Sequence, residues 1–101
     1  MSNVSSLEKR LLNACERLAT RENVKLSGEG LDALKPLIRG GCLKLDVMGF
    51  VDDEARIDGA ESNLAMLVRS IAKQVKSDGT YKIDAKAVEK EASRGSVWPF
   101  T

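Results

Sequence analysis

Two stretches of the chain make the same turn. RENVKLSGEGLDAL, residues 21–34, leaves one helix, passes through three residues of extended chain (Val24-Lys25-Leu26) and enters a second helix at Ser27. SDGTYKIDAKAVEK, residues 77–90, repeats the move through Tyr81-Lys82-Ile83 and Asp84. Ser and Asp favour helix starts because their side-chain oxygen accepts from an orphan amide of the first turn. In an extended segment alternate residues share a side, so Val24 with Leu26, and Tyr81 with Ile83, face one way. The lysine between each pair faces water. Such segments are corners of a small helical bundle, and the apolar residues plug its ends. They are also long enough to pair as a minimal two-stranded sheet that ties the halves together. The expected fold is all-α or nearly so: four or five helices with short extended connectors at 24–26 and 81–83.

The helices follow from apolar spacing. Ser5-Ser6-Leu7-Glu8 reads as a capping box. Leu7, Leu11, Ala14, Cys15 and Leu18 then form a stripe that ends near Arg21 to Asn23. In the second helix Leu31, Leu34, Leu37 and Ile38 are the core side. Pro36 removes an amide donor and disfavours helix at Lys35, so a kink or break is expected there. Gly40-Gly41 is the expected stop. Cys42 to Met48 fits either a short helix or a strand, because Leu43, Leu45 and Val47 alternate while Leu43, Val47, Phe50 and Val51 share a helix face. Asp52-Asp53-Glu54 marks a turn or a helix start. Ala60, Leu64, Leu67, Val68, Ile71 and Val75 give the third helix a continuous stripe, which stops at Ser77-Asp78-Gly79. In the fourth, Ala87, Val88 and Ala92 pack inward, and Gly95 ends it. Residues 1–101 read as one helical domain, with 96–101 as an extended aromatic tail.

Composition excludes more than it selects. The chain has 101 residues, is 31% charged and carries a net charge of +1, so bulk charge favours neither nucleic acid nor membrane. Residues 27–60 are acidic, with four basic and seven acidic side chains, and both flanks are mildly basic. No apolar run approaches the ~18 residues of a membrane span, and the N-terminus lacks a signal core. A cytoplasmic location is expected. Histidine is absent, which excludes Ser-His-Asp and Cys-His catalysis and the commonest zinc sites. Neither a phosphate loop nor a GxGxxG fingerprint is present. Cys15 and Cys42 do not have the spacing of a metal or redox motif, and buried free thiols are expected.

Two runs resemble a known family. ATRENVKLSGEGLDALKPLIRGG is similar to the start of the helical lid domain of AAA+ ATPases, especially clamp-loader lids, where a helix, an E-x-V-x-[IL]-S connector and a second helix recur. ARIDGAESNLAMLVRSIAKQVKSDGTYKIDAKAVEKEA is similar to the second half of lids in the magnesium-chelatase and MCM-like branches. Archaeal histones share that helix–connector–helix ending. Clamp-loader lids carry Gly-Asp-Met-Arg, whose arginine senses nucleotide. Here Gly41-Cys42-Leu43-Lys44 stands in its place, without the arginine. The resemblance implies a lid-like bundle without an ATPase domain.

Four groupings carry candidate chemistry. Trp98-Pro99-Phe100 places two of the four aromatic residues in the last four positions. Either this tail folds back over the core, or it supplies anchors for another chain, a role in which aromatic side chains dominate binding energy. Met66, with Ala65 and Ala72, widens the apolar side of the third helix beyond Ala60 and Leu64, as a homodimer face would. Arg69, Lys73 and Lys76 form a basic ridge that fits a phosphate backbone, with Arg17 and Arg21 as helpers, or a solvated helix face. Asp52, Asp53, Glu54, Asp58 and Glu61 offer hard-cation chemistry, but not in the order of an EF-hand loop, and also suit the start of a helix. The expected function is a non-enzymatic protein–protein interaction module, an adaptor or regulatory subunit that pairs with another protein or with itself. Its anchors would be Trp98, Pro99, Phe100 and Met66. Weak, sequence-nonspecific nucleic-acid binding through Arg69, Lys73 and Lys76 is the alternative. No catalytic residue, metal or cofactor is expected.

Overall fold

A computed structural model describes residues 3–72, 79, 81–94, 98 and 99. Its elements run α1 (Asn3–Arg21), β1 (Val24–Leu26), α2 (Gly28–Val47), α3 (Glu54–Ile71), β2 (Tyr81–Ile83) and α4 (Ala85–Ser93). The architecture is the nearly all-α bundle expected: four helices and two three-residue strands. The strands pair in parallel, with Val24 opposite Tyr81, Lys25 opposite Lys82 and Leu26 opposite Ile83. The chain is thus two helix–strand–helix units, α1–β1–α2 and α3–β2–α4, joined side by side at their corners. Parallel strands need a long crossover, and α2 with α3 supplies it.

The caps form as the residue types dictate. The Ser27 hydroxyl accepts from Gly30 N at 2.8 Å, Asp53 from Arg56 N at 3.2 Å and Asp84 from Ala87 N at 2.9 Å. Asn23 takes a left-handed conformation (φ 60°) between α1 and β1, which Asn tolerates better than most residues. Its carbonyl accepts from Tyr81 N at 3.1 Å and its side-chain amide donates to Gly79 O at 3.3 Å. One residue therefore closes the first corner and holds the second.

The helix bounds differ from expectation in three places. α1 starts at Asn3, before the Ser5 capping box, and Val4 joins its buried stripe. α2 neither breaks at Pro36 nor stops at Gly40-Gly41; it runs on to Val47. Proline inside a helix costs about 3 kcal/mol. Continuing the helix buries Ile38, Cys42 and Leu45 completely or nearly so, at about 1.5–3 kcal/mol for each large apolar side chain. Burial wins. The actual stop is Gly49 (φ 76°), where Gly49 N donates to Asp46 O and Phe50 N to Leu45 O, a Schellman ending with apolar Phe50 packed back on the core. α3 begins at Glu54, adding Ile57 to the core, and ends at Ile71, with Ala72 already extended (ψ 130°). Val75 lies outside the described residues.

The core runs between the helices: α2 packs chiefly on α4 and α1, and α1 also on α3. Leu11, Cys15, Leu34, Ile38, Cys42, Leu64, Val68 and Ile83 are fully buried. Val24 and Ile83 plug the corner, while Tyr81 is exposed and Lys82 half-buried, the reverse of the expected alternation at Tyr81. Ile83 belongs to the half of β2 that lies under α2, where Gly30 lets the helix approach. A Cβ at Gly30 would sit 2.7 Å from Ile83 O. Among the described residues no helix is long and apolar enough to cross a membrane.

Candidate functional site

The tail aromatic nearest the bundle is a core residue. Trp98 is 3% exposed, and its indole N–H donates to Ala60 O at 3.0 Å. Its six-membered ring lies over Gly41 in α2, at the place a Cβ would occupy. Pro99 is also buried, and its carbonyl accepts from the Asn63 side chain at 2.6 Å. Trp98 and Pro99 thus clamp α2 to α3. As placed, both side chains are packed among the helices rather than presented on the surface. At Trp98 and Pro99 this is the fold-back arrangement. Phe100 lies outside the described residues.

Met66 is exposed at 58%, but its surroundings do not make the wide face expected of α3. Ala60 and Leu64 are buried, and Ala65 and Ala72 are half-covered against the core. Three of the exposed large apolar residues are instead at the C-terminal end of α2. Leu43 is 47% exposed, Val47 86% and Met48 54%. Sequence reasoning missed this site because it ended the second helix at Gly41. Once the helix runs on, Leu43 and Val47 stand one turn apart on the side opposite Leu34, Ile38 and Cys42.

The charged groupings are rearranged as well. Arg69 points at Glu22 of α1, with Nη2 to Oε1 at 2.7 Å. That pair pulls the Glu22 carboxyl below its ordinary range and raises the Arg69 guanidinium. Lys73 and Lys76 lie outside the described residues. Of the acidic group, Glu54, Asp58 and Glu61 converge on Arg10 of α1 at 3.2, 3.3 and 2.8 Å. One arginine thus fills the space that a hard cation would need. Among the described residues no cluster of three metal-ligating side chains forms.

Beside that cluster a groove of about 500 Å³ runs between α1 and α3, with Arg17 and Arg21 on one wall and Asp58, Glu61 and Ser62 on the other. A second groove, about 420 Å³ and mostly apolar, lies between α2 and α4 with Trp98 at its base and Pro36, Leu37 and Gly40 along its side. Both cysteines are free and buried. Burial pushes each thiol up to about 11, with Glu16 adding to the effect at Cys15 and Glu8 at Cys42. Such thiols are poor nucleophiles at neutral pH.

No protein-family model, curated protein or solved structure matches the chain.

Proposed function

We propose that this protein is a non-enzymatic protein–protein interaction module, an adaptor or regulatory subunit, that docks through the C-terminal half of α2. The observation that carries the reading is the exposure of Leu43, Val47 and Met48 together at one end of a well-packed helix. Leu43 and Val47, one turn apart on the side opposite the core, with Met48 exposed at the helix end, have the apolar composition of an interface core. The repeated helix–strand–helix arrangement supports the further proposal of a lid-like module. Such a module rides on another protein body rather than carrying its own nucleotide chemistry. Lys44 stands where the sensing arginine of clamp-loader lids would be, and a nucleotide-sensing role for it is not proposed.

The test is affinity capture with wild-type protein and a Val47→Lys variant, each with and without nuclease. A stoichiometric partner that survives nuclease and is lost with Val47→Lys supports the module. Partners that vanish with nuclease instead, together with salt-sensitive binding that Arg69→Glu removes, would move the function to nucleic acid. Capture indifferent to both substitutions overturns the docking face.

A further inference from the structure

On the docking reading above, the exposed face of α2 has a self-complementary layout that names its partner. At 100° per residue, Asp32, Pro36, Arg39, Leu43, Asp46 and Val47 fall on one side of the helix, opposite the buried Leu34, Ile38, Gly41, Cys42 and Leu45. Leu43 sits at the middle of this face. One turn before it stands Arg39, and one turn after it stand Asp46 and Val47. Asp32 is engaged by Lys35 at 3.3 Å. The Arg39 and Asp46 side chains, both exposed, form no ion pair among the described residues. The face therefore offers an apolar centre with an unused cation on one side and an unused anion on the other.

We infer that the occupant of this face is a second copy of the same chain, packed with the two α2 helices antiparallel about a two-fold axis at Leu43. In that register a residue n places after Leu43 faces the residue n places before it on the other copy. Leu43 meets Leu43, and Val47 covers the aliphatic stem of Arg39. Asp46 faces Gly40, which has no side chain and leaves open space there, so the carboxylate reaches the neighbouring Arg39. The two-fold axis makes the same contact twice. A parallel arrangement sets Arg39 against Arg39 and Asp46 against Asp46, and like charges reject it. The helical strip from Asp32 to Val47 is only about 22 Å long at 1.5 Å per residue. It buries less than the roughly 800 Å² per partner of a standard interface, so the dimer is weak and concentration-dependent.

The experiment is sedimentation equilibrium on the full chain, over a concentration series into the millimolar range, at low and high salt. Wild type is expected to dimerise reversibly, and more weakly at high salt. Val47→Glu is expected to weaken association about tenfold or more. Arg39→Asp and Asp46→Arg each place like charges opposite one another and are expected to do the same. Combining the two restores the pairs with their signs exchanged and should recover the dimer. Circular dichroism shows whether each variant keeps its helix content, as substitutions at exposed positions should. A chain monomeric throughout the series overturns the inference, and so does a dimer that survives Val47→Glu or that the charge exchange fails to restore. A monomeric chain whose capture of a different protein is lost with Val47→Lys sinks the self-pairing and leaves the interaction module standing. Absence of both sinks both.

Discussion

The six-membered ring of Trp98 occupies the place where any residue other than glycine would put its Cβ at position 41. That relationship fastens the end of the chain to the middle of α2 and gives a glycine inside a helix a packing reason. It also makes an otherwise favourable substitution harmful. Gly→Ala in a helix interior gains about 1 kcal/mol in propensity. At Gly41 the new methyl expels the indole, and losing a buried Trp costs about 3–5 kcal/mol. Gly41→Ala should therefore destabilise by a few kcal/mol in urea denaturation. At Gly59 in α3 nothing stands near a Cβ, and Gly59→Ala should stabilise by about 0.5–1 kcal/mol. A further check is the double variant. Once Gly41→Ala has displaced the ring, Trp98→Ala should add little, because the two changes break one contact.

The Arg10 cluster should respond unequally to removal of its carboxylates. Glu61 is the closest and the least exposed of the three, whereas Glu54 and Asp58 are largely in water. Exposed ion pairs contribute about 0–1 kcal/mol, and Arg10 is itself more than a third exposed. Glu61→Gln should therefore cost at most about 1 kcal/mol, and Asp58→Asn close to nothing. Arg10→Met should cost more than either, because it leaves three carboxylates facing one another. Chemical denaturation at low and at high salt checks the order, and added salt should shrink all three differences.

The buried thiols make stability fall at alkaline pH. Below pH 9 folded and unfolded chains both keep the thiol protons, and the contribution is constant. Between the ordinary value of 9.0 and about 11 the unfolded chain releases protons that the folded chain retains at Cys15 and Cys42. Unfolding gains over that window at about 1.4 kcal/mol per pH unit per thiol, and the loss levels off above about pH 11. Urea melts at pH 8 and pH 10.5 should show the drop. Cys15→Ala, though less stable throughout, should show a shallower one. An unchanged slope in Cys15→Ala would mean that the thiol is not shielded as its burial requires.

Ser27 should be the most sensitive of the helix caps. Its hydroxyl accepts from Gly30 N and also lies 3.4 Å from Ile83 O, so it serves the start of α2 and the end of β2 together. Replacing a cap with Ala costs about 0.5–2 kcal/mol. Ser27→Ala is expected toward the upper end of that range and Asp53→Ala, whose cap is exposed and 3.2 Å long, toward the lower. Thermal denaturation of the two variants side by side checks the order.

Much of the fold could be read along the chain because it is local chemistry. The Ser27 and Asp84 caps, the stripe Leu7–Leu11–Ala14–Cys15–Leu18 and the paired three-residue corners all depend on neighbours within a few residues. The second helix is different, because its two glycines and its proline are breakers by local rules. Only the core beneath Ile38, Cys42 and Leu45 and the ring of Trp98, 57 positions after Gly41, make continuation the lower free energy. The candidate site was lost with it. With Cys42 to Met48 open between helix and strand, local spacing does not say whether Leu43 and Val47 face the core or water, and the aromatic tail stands out as the docking element. Local chemistry along the chain sets most of the helical segments, where most of them start and that two short corners recur, but it leaves Cys42 to Met48 open between helix and strand. The tertiary structure alone decided how far α2 runs, that Trp98 belongs to the core, that Arg10 gathers the acidic residues of α3, and which apolar side chains remain outside. Those outcomes depend on contacts between residues far apart in the chain, whose burial outweighs the local preference at the point where the two conflict.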